Sequence, residues 1–189
     1  MLLAQITTPE MDTHDKLKAC YDYLIHHTVY GVSNNAAYYW LMGQAGAGYG
    51  CLVEGMGVCD DYSAAFSILA RRIGVPIYTT GGMTHKSGGG YTPHAWCEYI
   101  AADGTGYIFD PQIEDNIATK QGRISYLRFG GTYAQLSDKY MRDAEPQNAG
   151  GGTNAYDADM PLTIADGSGN VIWQGTVGNI PDEWKWLLN

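Results

Sequence analysis

Basic residues are scarce in this sequence: 11 lysines and arginines stand against 20 aspartates and glutamates in 189 residues. That acidic balance, with no basic stripe, argues against nucleic acid or an anionic membrane as the main partner. Long apolar runs are missing as well. None approaches a membrane span, and Met1-Leu2-Leu3-Ala4 is too short for a signal peptide, so membrane insertion is not expected. The four cysteines, Cys20, Cys51, Cys59 and Cys97, include none of the close pairs that mark zinc or thioredoxin-like sites. His14, Cys20, His26 and His27 do not fall on one helix face, which removes a metal site built from them. The glycine-rich run 43–50 lacks a closing Gly-Lys-Ser/Thr and follows no strand, so it fails as a phosphate loop. No internal repeat is visible. The sequence therefore predicts neither a cofactor nor a metal.

What is present is length for one domain with a sizeable core and an ordinary apolar fraction. The expectation is a single domain over 1–189, with a core at about 9–145 and a loop, hairpin and tail over 146–189. Low charge with many tyrosines, glycines and asparagines gives the flavour of an extracellular or cell-surface bacterial domain. Its leader would then lie outside this sequence, and a cytoplasmic setting stays open.

The chain is organised around Glu54-Gly55-Met56-Gly57-Val58-Cys59-Asp60-Asp61-Tyr62. After it, Tyr62, Ala65, Phe66, Leu69 and Ile73 recur at helical spacing, and the run stops at Gly74 with Pro76 beyond. Cys59 is thus expected in the first turn of a helix that follows a tight glycine turn. Free N–H groups and the positive dipole end there favour thiolate over thiol. Cys20 and Cys97 read as small buried hydrophobes. Cys51 is either free or paired with Cys20.

Upstream, Thr8-Pro9 reads as a helix start, with Leu17, Cys20, Tyr21 and Leu24 as the apolar stripe of a helix over about 9–28. His26 and His27 form its polar last turn. Asn34 or Asn35 can cap a short second helix through Leu41. Tyr30, Trp40 and Gln44 are the side chains upstream of Cys59 that could donate to an oxyanion, and the sequence does not rank them. Downstream, Val75–Thr80 reads as a strand and 81–90 as a mobile loop, a plausible lid, in which His85 is a solvated loop histidine.

His94–Ala101 and Tyr107–Asp110 read as two strands of a hairpin turning at Ala102-Asp103-Gly104. His94, Trp96 and Glu98 share a face by alternation. With a three-residue loop and Gly104 left-handed, Ala101 faces Thr105 and Asp110 falls opposite Trp96, making Asp110 a diagonal neighbour of His94. A two-residue loop would put them on opposite faces. The candidate catalytic set is Cys59, His94 and Asp110. A thiol becomes a nucleophile when an imidazole takes its proton, and a carboxylate holds that imidazole in the right tautomer. The Cys59 N–H could supply half an oxyanion hole. The chemistry this combination suits is acyl transfer at an amide or ester carbonyl through a thioester.

At these residues the sequence resembles the transglutaminase-like superfamily. Gly57-Val58-Cys59-Asp60-Asp61-Tyr62-Ser63, Arg71-Arg72-Ile73-Gly74-Val75-Pro76, His94-Ala95-Trp96-Cys97-Glu98 and Tyr107-Ile108-Phe109-Asp110-Pro111 look like the family's motifs and stand in its order, over roughly residues 9 to 115. The resemblance implies an α+β, papain-like core. A central helix would carry Cys59 at its N-terminus, packed on an antiparallel β-sheet carrying His94 and Asp110. Tyr107 stands where the family often has tryptophan, and Gln112 where it often has threonine. Gly55-Met56-Gly57-Val58-Cys59 differs from the Arg-Gly-Gly-x-Cys approach of the related arylamine acetyltransferases. No calcium requirement is inferred.

Beyond Asp115, Ile124–Gly130 is expected to add a strand and Gln135–Met141 a short helix. Residues 146–154 read as a linker, Leu162–Ile164 with Val171–Trp173 as a terminal hairpin, and 181–188 as a tail in which Trp184 and Leu188 could dock on the core. The function expected is a cysteine hydrolase or acyltransferase acting on peptide or protein amides. Hydrolysis is favoured over crosslinking because no acceptor-amine site is recognisable. The alternatives are a transglutaminase using an amine acceptor, and a non-catalytic peptide- or cell-wall-binding module that keeps the fold. The sequence leaves the oligomeric state undetermined.

Overall fold

The computed structural model describes residues 2–31, 48–143, 161–165, 171–176, 179 and 181. The chain forms two compact units, 1–147 and 148–189. The first begins with a single-turn helix α1 (Leu3–Ile6) and helix α2 (Thr13–His27). Helix α2 starts later than the expected residue 9, because Asp12 and not Thr8 is the cap: its Oδ1 accepts the Asp15 N–H at 2.8 Å. Leu17, Cys20, Tyr21, Leu24 and Ile25 are its buried stripe, and it ends where the stripe meets Thr28. His27 closes its last turn, stacked on Tyr23 with Nδ1 at 3.0 Å from the Tyr23 carbonyl.

Two short parallel strands, β1 (Val29–Tyr30) and β2 (Met56–Gly57), lead to helix α3 (Cys59–Arg72), with a π-helical turn at Gly50–Glu54 between them. The Asp61 carboxylate accepts the Val58 N–H at 2.9 Å and fixes the first turn of α3. Tyr62, Ala65, Phe66 and Leu69 are buried along it, as their spacing predicts, while Ile73 is half-buried and Ala70 is buried beside them. The helix stops where expected: Gly74 is left-handed, and the bonds Val75 N–H to Ala70 C=O and Gly74 N–H to Arg71 C=O close a Schellman motif.

The sheet has five antiparallel strands in the order β6-β5-β4-β3-β7: β3 (Tyr78–His85), β4 (Tyr91–Ile100), β5 (Gly106–Phe109), β6 (Phe129–Thr132) and β7 (Tyr140–Arg142). Alternation along β4 gives it two cores. Cys97 and Phe109 join Tyr21, Leu24, Tyr62, Phe66 and Leu69 beneath α2 and α3, while Trp96, Ile108, Leu136 and Tyr140 form a second cluster. Helix α4 (Pro111–Gln121) follows β5 directly, capped by Asp110 with Pro111 in its first turn.

Four expectations shift here. The first sheet strand is Tyr78–His85 rather than 75–80, so the mobile loop over 81–90 is not observed. Gly81 and Gly82 are weak strand formers, but pairing with β4 on one side and β7 on the other overrides propensity. What remains is a tight turn, held by Lys86 N–H to Gly90 C=O at 2.9 Å and Gly89 N–H to Lys86 C=O at 3.0 Å. His85 is exposed, as expected, though it ends the strand and meets Tyr91 edge-on. The strand expected at 124–130 forms at Phe129–Thr132. The helix expected over Gln135–Met141 is a series of turns followed by β7, because Thr84 and Met83 of β3 pair with Tyr140 and Met141. Helix α4 was not anticipated, although Asp-Pro ahead of it is a start signal.

Gly82 lets β7 approach. A Cβ there would lie 2.2 Å from the Met141 carbonyl oxygen and 2.9 Å from Trp96 Cη2. Gly82→Ala is expected to push β7 outward and to cost about 1–3 kcal/mol, read as a lower urea midpoint with an unchanged m-value.

In the second unit, β8 (Pro161–Ala165) and β9 (Val171–Thr176) pair antiparallel, which is the expected terminal hairpin. The helix expected at 34–41, Trp40, Gln44, the linker 146–154 and the tail residues Trp184 and Leu188 lie outside the described residues.

Candidate functional site

Cys59 opens α3, half-buried, its main-chain N–H ahead of the first intrahelical bond. His94 lies on β4, 8% exposed, and Asp110 follows β5, 1% exposed. The hairpin sets their register. Ala101 N–H bonds to the Thr105 carbonyl at 2.9 Å, Gly104 is left-handed, and Cys97 pairs with Phe109, so Asp110 is next to Trp96 and diagonal to His94. That is the three-residue-loop register expected from sequence. His94 Nε2 is 2.8 Å from Asp110 Oδ2.

The electrostatics link the third residue. The Cys59 thiol is lowered first by a side-chain hydrogen-bonding interaction with His94; burial opposes this, and the Ala95 N–H and the His94 charge reinforce it. For His94, burial acts to lower the pKa, but the charge and hydrogen bond of Asp110, then Cys59, push it up to about 10. Burial acts to raise Asp110, yet His94, the Ile113 N–H and the Tyr140 hydroxyl bring it below the usual carboxylate range. The structure thus brings together a half-buried Cys59 and a buried His94 and Asp110, and their interactions lower the thiol and raise the imidazole.

Sequence reasoning missed the groups that hold this set. The Ala95 N–H stabilises the sulfur. Asp110 Oδ1 accepts the Ile113 N–H at 2.9 Å, and Oδ2 also accepts the Tyr140 hydroxyl at 2.5 Å. The Asp-Pro helix start could have revealed the first of these two. Nothing local in sequence points to Tyr140, which arrives through sheet pairing 30 residues away. Of the three upstream candidates, Tyr30 is the one among the described residues, and its hydroxyl is raised by burial and then by the charges of Cys59 and Asp60.

The other cysteines are free and buried. Cys97 donates to the Ser63 carbonyl at 2.9 Å on the helix side of β4, away from His94 as its parity predicts. Cys51 is not paired with Cys20; burial pushes Cys20 up to about 11 and Cys51 to about 12, so neither rivals Cys59 as a thiolate. Among the described residues, the potential metal-ligand group is Asp12, His14 and Asp15, all exposed and sharing no residue with the Cys59 set. No helix among the described residues is long and apolar enough to cross a membrane.

A model of the transglutaminase-like superfamily matches residues 1–111, more than half of the chain. The chain belongs to the transglutaminase-like superfamily. Two similar solved structures are a cysteine protease candidate from Cytophaga hutchinsonii and a protein described as a TGase. The first is 20% identical with a TM-score of 0.44, covering 58% of this chain and 35% of that one. The second is 22% identical with a TM-score of 0.39, covering 58% and 28%. This transglutaminase-like chain therefore matches about a third of the length of each. No curated protein matches the sequence.

In this transglutaminase-like core the alkylation of Cys59 has a defined pH course. A lowered thiol keeps its thiolate below the usual thiol range, and an imidazole raised to about 10 keeps its proton until then. The rate with iodoacetamide is expected to rise below the pH range of an ordinary thiol, hold a plateau, and change again near pH 10 as imidazolium is lost. Mass mapping of the labelled cysteine checks it. A single rise at the ordinary thiol pKa contradicts the ion pair.

Proposed function

We propose that the protein is a thiol-dependent acyl-transfer enzyme acting on peptide or protein amides, with Cys59 as nucleophile, His94 as proton carrier and Asp110 as the group that orients His94. The observation that supports this most is the 2.8 Å contact between His94 Nε2 and Asp110 Oδ2, with the same ring coupled to Cys59 at a helix start. Family membership points the same way.

In the proposed reaction the Cys59 thiolate adds to the carbonyl carbon, and the carbonyl electron pair moves onto oxygen. The Cys59 N–H stabilises that oxyanion, with the Tyr30 hydroxyl as the proposed side-chain donor. Collapse breaks the C–N bond, and the leaving amine takes the proton from the His94 imidazolium. Neutral His94 then removes a proton from water as it attacks the thioester. Cys59 leaves as thiolate, the acid departs, and the thiolate–imidazolium pair is restored.

Water is the proposed acceptor. A primary amine in its place makes the same thioester a transamidation intermediate. Incubating the protein with a peptide library, with and without a primary amine, separates these by product mass. Cleaved or deamidated peptides support hydrolysis, and amine adducts support transfer. Peptide retention without any covalent change supports the binding module and overturns the enzymatic reading.

A further inference from the structure

Asp110 is held by more than its partner in the Cys59 set. Its Oδ2 receives two donors, His94 Nε2 at 2.8 Å and the Tyr140 hydroxyl at 2.5 Å, while Oδ1 takes the Ile113 N–H at 2.9 Å. The Ile113 bond already fixes the rotation of the carboxylate as a helix cap. The Tyr140 bond does something different, because it competes with the imidazole for the same oxygen.

We propose that Tyr140 is a positioning residue for the Cys59–His94–Asp110 chemistry, its hydroxyl sharing the Asp110 oxygen that His94 uses and so limiting how tightly the carboxylate grips the imidazole. The inference rests on the proposed function for its consequence, though its geometry stands apart.

The fold makes the contact deliberate in a physical sense. Thr84 of β3 pairs with Tyr140, and Gly82 pairs with both His94 and Arg142, so Tyr140, Trp96 and His94 lie on one sheet face. With no side chain at Gly82, Trp96 fills the space there and meets the Tyr140 ring edge-on at 5.1 Å. Trp96 is in turn pinned by its Nε1–H to the Tyr133 hydroxyl at 2.9 Å, and Arg142 of β7 is anchored to buried Glu98 at 2.7 Å. The Tyr140 ring therefore has little freedom to leave Asp110.

The neighbouring charges keep the hydroxyl a donor. Burial, and next the Asp110 charge, hold Tyr140 well above its ordinary pKa, and Arg128 beside its ring opposes this only in part. Arg128 is itself tied to buried Glu114 at 3.2 Å. From α2, the Tyr21 hydroxyl donates to the Asp110 main-chain carbonyl at 2.9 Å and leaves the carboxylate alone. Cys97, on the far side of β4, is a buried neutral thiol. Apart from His94, the hydroxyl that bonds the carboxylate is thus Tyr140's, among the described residues.

A carboxylate that loses one donor concentrates charge toward the other. In Tyr140→Phe the imidazolium is then held harder and becomes a weaker acid toward a leaving amine. A donor stronger than tyrosine has the opposite effect. The test is the 15N-detected titration of the His94 ring, assigned with His94→Gln, in the wild-type chain, in Tyr140→Phe, and with 3-fluorotyrosine placed at position 140. The expected result is an upward shift of the His94 titration of about one pH unit in Tyr140→Phe and a smaller downward shift with fluorotyrosine. Adding Tyr140→Phe to Asp110→Asn is expected to move it no further.

A Tyr140→Phe titration equal to wild type, or shifted down, overturns the inference. If that variant does not fold, the fluorotyrosine shift decides alone: downward supports, none or upward overturns. A wild-type His94 that titrates in the ordinary range, with Cys59 alkylating as an ordinary thiol, overturns the proposed function itself. A raised His94 that ignores position 140 overturns only the role of Tyr140.

Discussion

Cys59→Ala is expected to abolish turnover of any peptide that the wild-type chain cleaves or transfers, while the protein melts within a few degrees of wild type. The reason lies in what the side chain touches. Its sulfur faces His94 and the Ala95 N–H, and Cys59 lies half-buried at the first residue of α3. Removing it leaves the Tyr62–Ala70 core stripe untouched, and the Asp61 bond to the Val58 N–H still fixes the helix start. Alanine is also a good helix former. Without sulfur there is no covalent intermediate, and His94 with Asp110 can at most activate water at a carbonyl no longer held by a thioester. Loss of a nucleophile that works as a unit with its base costs on the order of 10⁶-fold in kcat. Intact-mass spectrometry of the wild-type chain during turnover should reveal an acyl adduct that the variant lacks. Retained turnover in the variant, with the melt unchanged, would falsify the mechanism.

The second large effect is expected at Asp110→Asn. In papain-like proteins an asparagine can serve beside the histidine when its carbonyl oxygen faces the ring. Here the Ile113 N–H claims Oδ1 as the cap of α4, so the oxygen of an asparagine is drawn to that side. Its NH2 then faces Nε2 of His94 and donates to it. That places the ring proton on Nδ1, the nitrogen left for the sulfur, and the ring can no longer accept from the thiol. Turning the amide round would set its NH2 against the Ile113 N–H and leave two donors facing each other in a site 1% exposed. Either way the imidazolium also loses the charge that raises it. A fall in kcat on the order of 10⁴-fold is expected, with a smaller change in KM. The alkylation of Cys59 at neutral pH should drop toward that of an unperturbed thiol. A variant with near-normal turnover and a normal alkylation profile would show that the carboxylate charge is dispensable.

These two substitutions separate functions that the fold keeps close. Cys59 owes its place to a helix start, whereas Asp110 is at once the residue that leaves β5, the cap of α4 and the partner of His94. A residue with three duties is harder to replace than one with a single duty. Tyr140 adds a third bond to the Asp110 carboxylate, from a strand whose close approach Gly82 permits.

The chain alone disclosed whatever depends on neighbours a few residues apart. Helical spacing after Cys59, the stop at Gly74, the two faces of β4 and the three-residue turn at 102–104 are local, and each appears in the structure. The pairing of His94 with Asp110 was legible for the same reason, since strand parity carries the aspartate to the histidine. Propensity misled where pairing partners outweigh it: Gly81 and Gly82 became strand between β4 and β7, and residues 140–142 became strand beside β3. Only the tertiary structure could set the Tyr140 hydroxyl against Asp110 and the Ala95 N–H against Cys59, because such contacts come from how a twisted sheet and a helix start meet in space. Backbone preference acts within a few residues; burial and charge act across whatever the fold brings together.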